Sequence, residues 1–501
     1  MDKEHNTQED SPQKRSQEAP ANLKSSLVKT TQAKKISRVA LTLIQISMHF
    51  IWAGDLYNFD MPQLFESIII QRFQVTTVQV DFLYTLVGVI SIVTTSVGSL
   101  MVSRVGYGFG ALLFNTGAYV GILLCYIAIK TNNFAYMIIG RVLFGIGEGV
   151  AMTVQISIAE KWFSGKFLSV AVGLNRFAAF GGMSFAAYFE PQLFIMTRSL
   201  EVPFFFYGLA CFSTVLASLS YYFLEIRNED KLGGQDEENG YLKAEFGFKD
   251  LRRLSRLAWL VAFFLAFSVN TYYLFDANGT DCLMNRYGFS YAEAKNLMTI
   301  LPIFGMILTP LFSIIILKIG RKGLLFILCG VLSLSANFLL YVLPMNPGMA
   351  IYVPITLYGL YYGLYNALVW TSIALVAPKQ AVNLFVGVGI GMLSTGLTFL
   401  PLLAGFVVRD RDVAAYQNSI LLQAGMALVV LVLGVEAARL DFRTGRLLDL
   451  PENDERVTAQ RERMSRMLFR SGEGGECDFG ESWEMRLLGA EDASKKEGES
   501  G

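Results

Sequence analysis

The stretch GLLFILCGVLSLSANFLLYVLPMNPGMAIYVPITLYGLYYGLYNALVWTSIALVAP, residues 323–378, contains no Asp, Glu, Lys or Arg. Residues 380–408 and 413–435 are also free of charge. Uncharged apolar runs of about 18 residues or more read as membrane-spanning helices. The rest of the chain agrees. Its 501 residues are 53% apolar and only 17% charged, against about 25% charged for a soluble domain, and its mean hydropathy is +0.42. This balance disfavours disorder, a soluble enzyme and a nucleic-acid binder. Lys and Arg together number 42, as do Asp and Glu, so net charge points to no partner. The five cysteines are widely spaced and imply neither a disulfide framework nor a zinc site. With only His5 and His49 there is no metal-ligand cluster, and no phosphate loop or nucleophile triad stands out, so neither a cofactor nor enzymatic chemistry is expected.

Residues 1–37 are polar and lack the apolar core of a cleaved signal. Apolar runs and their breaks predict helices over 38–59, 81–103, 108–129, 134–157, 166–189 and 203–225. After a polar stretch, 226–255, they predict six more, over 256–276, 292–317, 323–343, 350–377, 382–408 and 415–438. The chain thus reads as an all-α membrane protein, embedded in a lipid bilayer, with twelve transmembrane helices. Its organisation is a polar segment 1–37, a six-helix bundle 38–225, a central loop 226–255, a second six-helix bundle 256–438 and a charged tail 439–501. The tail reads as disordered or as a short surface helix. Lys and Arg number eight in 1–38, seven in 226–256, three in 318–322 and eleven in the tail. Such asymmetry places both termini in the cytoplasm. Asn278-Gly-Thr280, the only Asn-x-Ser/Thr sequon, then falls in an outer loop as a glycosylation site.

The two halves share a feature, as an internal repeat requires. Gly98-Ser-Leu-Met-Val-Ser103-Arg104-Val105-Gly106 follows the second predicted helix, and Ser313-Ile-Ile-Ile-Leu317-Lys318-Ile319-Gly320-Arg321-Lys322 follows the eighth. Gly106 and Gly320 permit a sharp reversal. Arg104 and Arg321 can meet helix C-terminal dipoles and gate the inner side, or they are ordinary positive-inside turns. The 6+6 layout, long central loop and paired turns resemble the major facilitator superfamily. The family's loop usually has Asp where this chain has Ser103 and Leu317, which leaves its acid-to-dipole latch without its acid. Longer strings are more specific: Tyr57-Asn-Phe-Asp60-Met-Pro62, Gly140-Arg-Val-Leu-Phe-Gly-Ile-Gly-Glu148, Trp162-Phe-Ser-Gly-Lys166, Arg286-Tyr-Gly-Phe-Ser290, Val376-Ala-Pro378 and the tyrosine-rich run Tyr358 to Trp370. Together, over about 38–438, they look like the lysosomal dipeptide transporter branch, the major facilitator superfamily domain-containing protein 1 family. That resemblance implies facilitative (uniporter-like) export of dipeptides from lysosomes and a glycosylated accessory membrane protein as partner.

Ionisable groups inside a membrane are costly and mark function. The candidates are His49, Asp55 and Asp60 in the first predicted helix, Glu148 in the fourth and Arg176 in the fifth. At about 1.5 Å rise per residue, His49, Glu148 and Arg176 fall roughly 16, 13 and 15 Å above the inner end, near the midplane where transporter sites occur. Glu148 can receive an α-ammonium and Arg176, with Asn175 beside it, can grip a carboxylate bidentately. Alternatively the two charges pair with each other. The resemblance supports an acid and an arginine in these two helices, with Glu148 about one residue and Arg176 about four residues early against the usual pattern. Four residues keep a helix face nearly constant, whereas one rotates it by about 100°. In the tenth helix Tyr358, Tyr362 and Tyr365 share a face and, with Asn366 and Trp370, line a cavity or serve packing. Asp60 reads as an outer gate or an exposed helix-end acid. His49 reads as a titrating group or a packing residue. Proton-coupled peptide carriers bear a glutamate-rich first helix, and this one has no glutamate.

The residues therefore favour a carrier of dipeptides or similar zwitterions. A carrier of sugars, organic anions or amino acids, or a non-transporting scaffold, is the alternative. The resemblance alone implies the lysosomal membrane. Leu447-Leu448 and Leu487-Leu488 lack the acid of a sorting signal, which leaves the plasma membrane open.

Overall fold

The computed structural model describes residues 37–163, 167–236, 246–408, 412–451 and 454–472. Twelve long helices carry the fold. They are α1 (Arg38–Phe59), α2 (Thr77–Val105), α3 (Tyr107–Thr131), α4 (Phe134–Phe163), α5 (Leu168–Thr197), α6 (Glu201–Asp236), α7 (Arg256–Asn285), α8 (Tyr291–Ile319), α9 (Lys322–Val342), α10 (Tyr352–Val376), α11 (Val382–Val407) and α12 (Val413–Arg443). A further helix, α13 (Glu455–Gly472), follows in the tail. Among the described residues ten helices are long and apolar enough to cross a membrane. The other two long ones are α5 and α10, which carry Arg176, Asn366 and Trp370. Val93, Tyr188, Phe223, Leu324 and Phe338 are exposed on the surface, as lipid contact demands and water does not.

Eight of the twelve, α2 to α8 and α12, run longer than apolarity alone indicates, while α10 and α11 are slightly shorter than expected. Capping explains some of the ends: Thr76 with Gln79, and Ser290 with Glu293, form capping boxes that open α2 and α8. Because α7 continues to Asn285, Asn278 lies on a helix and not in the expected loop, its amide donating to Leu274 O at 3.3 Å. The end of the Trp162 to Lys166 string lies outside the described residues, as do residues 1–36, 237–245 and 473–501.

The halves repeat one packing scheme. In the first, α1 packs on α6, α2 on α4 and α3 on α6. In the second, α7 packs on α12, α8 on α10 and α9 on α12. The symmetry-related pairs α2–α11 and α5–α8 join the halves. In a bilayer, association rests on close packing of small residues. Gly121 of α3 and Gly140 of α4 face each other so closely that a Cβ on either would lie 2.5 Å from the other's carbonyl oxygen. Gly363 does the same for α10 on α8, where a Cβ would lie 2.6 Å from Leu308. Between halves, Gly391 of α11 rests on α2, with Ile92 O 2.9 Å from where its Cβ would stand.

The expected turns are present. Gly106 ends α2 at φ +92° and Gly320 ends α8 at φ +68°, with Arg321 at φ +48°. They lie on the face of the bundle where α1 begins and α12 ends, called here the tail face. There Asn383, at the start of α11, donates to Ser103 Oγ at 2.8 Å and to Ser99 O, while Ser157 of α4 donates to Asn383 Oδ1 at 2.9 Å. Ser103 thus stands where an acid was expected, and a neutral amide network ties the halves.

Candidate functional site

Between the halves, helices α1, α2, α4, α5, α7, α10 and α11 line a cavity of about 80 Å³, room for several waters at about 30 Å³ each. Its charged groups are Glu148 and Arg176, both from the first half, which also brings Ser91; the second half brings Tyr273, Tyr365, Asn366, Trp370 and Ser394. Trp52 of α1 joins the two charges. Its indole Nε1 donates to Glu148 Oε1 at 3.2 Å, and its ring face lies 4.6 Å from the Arg176 guanidinium carbon. Trp370 covers the guanidinium from the second half at 4.2 Å. A cation between two indoles is held by both quadrupoles. Glu148 and Arg176 therefore do not cancel each other in a direct ion pair. They stand about one indole apart on a shared aromatic spacer.

Several donors here are left without acceptors. Among the described residues, Arg176 Nε and Nη2 and Trp370 Nε1 are buried and have no hydrogen-bond partner. Buried donors are normally paired, and an orphan is expensive. These three, two of them cationic, share the cavity with the buried and equally unpartnered Ser91 hydroxyl, and make an acceptor-seeking site on the scale of a carboxylate.

Trp52 and Tyr273 were missed in the sequence. Their signal was the repeat, which pairs the first helix with the seventh. Three expected residues stand behind the wall. Asn175 accepts from Gln45 Nε2 at 2.9 Å, and His49 lies 3.5 Å from the same nitrogen. Tyr362 stacks on Tyr272, ring centroids 3.8 Å apart, and packs on Phe180. Tyr358 also turns away, donating to Asn337 Oδ1 at 2.9 Å. Helix ends differ too. α4 runs to Phe163, so Glu148 stands roughly 22 Å along from its tail-face end, while Arg176 is roughly 12 Å into α5. Their contact with one indole shows that the helix ends are staggered, and equal depth was never required.

Other buried charges do structural work. Asp55, expected near an outer gate, is buried against α6 and accepts the Cys211 thiol at 3.6 Å. Arg141, unremarked within the Gly140 to Glu148 string, donates to Asn58 O, Phe59 O and Leu83 O at 3.3, 3.1 and 3.3 Å. It satisfies carbonyls that α1 leaves open where it ends before Asp60 and Pro62. Asp60 caps that end, half-buried, within electrostatic reach of Arg141 and of the exposed Asp276 on α7.

Comparison with known proteins fits this geometry. The sequence profile of the Major Facilitator Superfamily matches residues 43–389. The Lysosomal dipeptide transporter MFSD1 of Homo sapiens is 23% identical over 380 residues, covering 74% of this chain and 80% of its own. The Danio rerio protein of the same name is 23% identical over 401 residues, covering 78% and 86%. Among solved structures, the Major Facilitator Superfamily transporter FucP in its outward conformation gives a TM-score of 0.58 at 14% identity, covering 80% of this chain and 98% of its own. A bacterial homologue of the iron transporter ferroportin, outward-facing with soaked iron, gives 0.61 at 14% identity, covering 80% and 100%.

Proposed function

The chain belongs to the Major Facilitator Superfamily, and from that premise we propose that it is a facilitative carrier of dipeptides, with Glu148 receiving the α-ammonium and Arg176 the carboxylate. The observation that carries this reading is the set of three orphaned donors on Arg176 and Trp370, facing the same cavity as the Glu148 carboxylate. One anion and one cation at fixed separation select a zwitterion. The separation favours a dipeptide over a free amino acid. An amino acid bears both charges on one Cα, while a dipeptide inserts a Cα–Cα step of about 3.8 Å, nearer to the width of an indole. The rings of Tyr273, Tyr365 and Trp370 offer apolar surface with no further charge, which suits varied side chains.

Export from the lysosome, a cytoplasmic tail face, uniport and a glycosylated accessory subunit belong to the same proposal. They are supported by the charge asymmetry of the connections, the absence of glutamate from α1 and the names of the relatives, lysosomal dipeptide transporters. The direct test is flux into liposomes holding the purified protein, with a dipeptide mixture as substrate and single amino acids and glucose as competitors. The proposal expects dipeptide flux that amino acids and glucose do not inhibit and that a pH gradient does not drive. Flux that follows the gradient overturns uniport, and inhibition by glucose overturns the substrate class.

A further inference from the structure

The tail after α12 folds back over the tail face. The chain reverses at Gly445 and Arg446, both at positive φ, 100° and 56°. Asp441 accepts from the N–H groups of Leu448 and Asp449 at 2.9 and 3.2 Å. The same segment pairs with the α8–α9 turn, where Arg321 N–H donates to Asp449 O at 3.0 Å and Lys322 N–H to Leu448 O at 3.1 Å. These bonds fix residues 447–450 to the second half. Helix α13 then starts after Asp454, whose side chain is held by Arg456 at 2.6 Å. The Arg456 partner keeps the Asp454 carboxyl low, at about 2.

Past the Asp454–Arg456 pair, the helix turns inward. Val457 and Met464 are buried, and Arg461 is only 2% exposed. Its Nη1 donates to Glu160 Oε1 at 2.8 Å, near the end of α4 in the first half. Its Nη2 donates to Ala374 O and Ala377 O at 3.0 and 3.3 Å, at the end of α10 in the second half. One guanidinium fork thus spans the two halves, using the planar geometry that lysine lacks.

We propose that α13 is a latch that holds the tail face shut, with Arg461 as its bolt. Any motion that opens this face separates the end of α4 from the end of α10. Arg461 then loses either its carboxylate or its carbonyls, and a buried cation stripped of partners is strongly unfavourable. Opening towards the tail face therefore requires α13 to leave its seat. The tail sets how often the cavity faces that side and offers a point at which transport can be controlled from outside the membrane. This rests on the geometry of the two halves and is independent of what the cavity carries.

The test is the distance between spin labels on the full-length protein in lipid nanodiscs, with all five cysteines replaced. Val105 of α2 and Ile319 of α8, both exposed at the tail face, take the labels after substitution by Cys. Arg461→Ala and Glu160→Gln should each raise the long-distance population, on the order of tenfold for the first. Arg461→Lys, which keeps charge without the fork, should fall between. Arg463→Ala, exposed on the same helix and outside these contacts, should change nothing. Distributions that match the parent in folded Arg461→Ala and Glu160→Gln, or an equal shift with Arg463→Ala, overturn the latch. No substrate enters the measurement, so its failure is separate from failure of the dipeptide reading.

Discussion

The two halves meet at one cavity and bring different chemistry to it. The first supplies both charges, Glu148 and Arg176, mounted on Trp52. The second supplies rings and an amide, Tyr273, Tyr365, Trp370 and Asn366. If the charges were divided between halves, every opening would pull a desolvated ion pair apart, at a price set by low dielectric. Under the proposed function, keeping both on one half would make that half a fixed reader of substrate ends. The other half can then close over it with surfaces that lose little when they part. Trp370 is the exception that couples them, because it lies on Arg176 from across the cavity.

This contrast can be broken in graded steps. Arg176→Ala should have the largest effect. Removing one partner of a buried charged contact weakens binding by about 2–5 kcal/mol, or roughly 30-fold to several thousandfold in transport efficiency, measured as initial uptake at equal reconstituted protein. Arg176→Lys should recover only part of this, because a carboxylate then meets a point charge. Glu148→Gln comes next. It should lower uptake by about 1.5–3 kcal/mol, the range for hydrogen bonds to charged groups, and chiefly for substrates with a free α-amine. Equal losses for free and N-acetylated substrates would contradict the assignment of ends. Gly140→Val lies away from the cavity, where α3 and α4 touch. It should destabilise by about 1–3 kcal/mol through overpacking, read as earlier thermal unfolding in detergent, with substrate preference unchanged. Trp370→Phe is the subtlest. It keeps a ring over Arg176 but deletes the orphaned N–H, so affinity should fall by about 0.5–1.5 kcal/mol with expression and thermal unfolding at parent values.

Much of the fold was legible because the bilayer permits few solutions. Uncharged runs such as 323–378 can only be buried or lipid-facing, and Gly106 and Gly320 sit at the positive φ that their turns require. Glu148 and Arg176 were legible for the same reason, as charges where charge is costly. What sequence left hidden depends on neighbours. Periodicity gives the face of Tyr362 on its own helix, but not that Tyr272 of α7 covers it. His49 was placed at the site by depth and Asn175 by its place beside Arg176, yet Gln45 holds both behind the wall. Arg141 looked like part of a motif until α1 was seen to end against it. The tail gave the least warning, since α13 is polar and its arginine meets partners roughly 300 and 90 residues earlier in the chain.

The most direct test of the divided site is competition in liposomes by one dipeptide in three forms: unmodified, N-acetylated and C-amidated. Glu148 and Arg176 as readers of the two ends predict that either block lowers inhibition by tenfold or more, that Glu148→Gln erases the penalty for acetylation alone, and that Arg176→Ala erases the penalty for amidation alone. Equal inhibition by all three forms on the parent protein would contradict the account, because the charges of the first half would then not be reading the ends of the substrate.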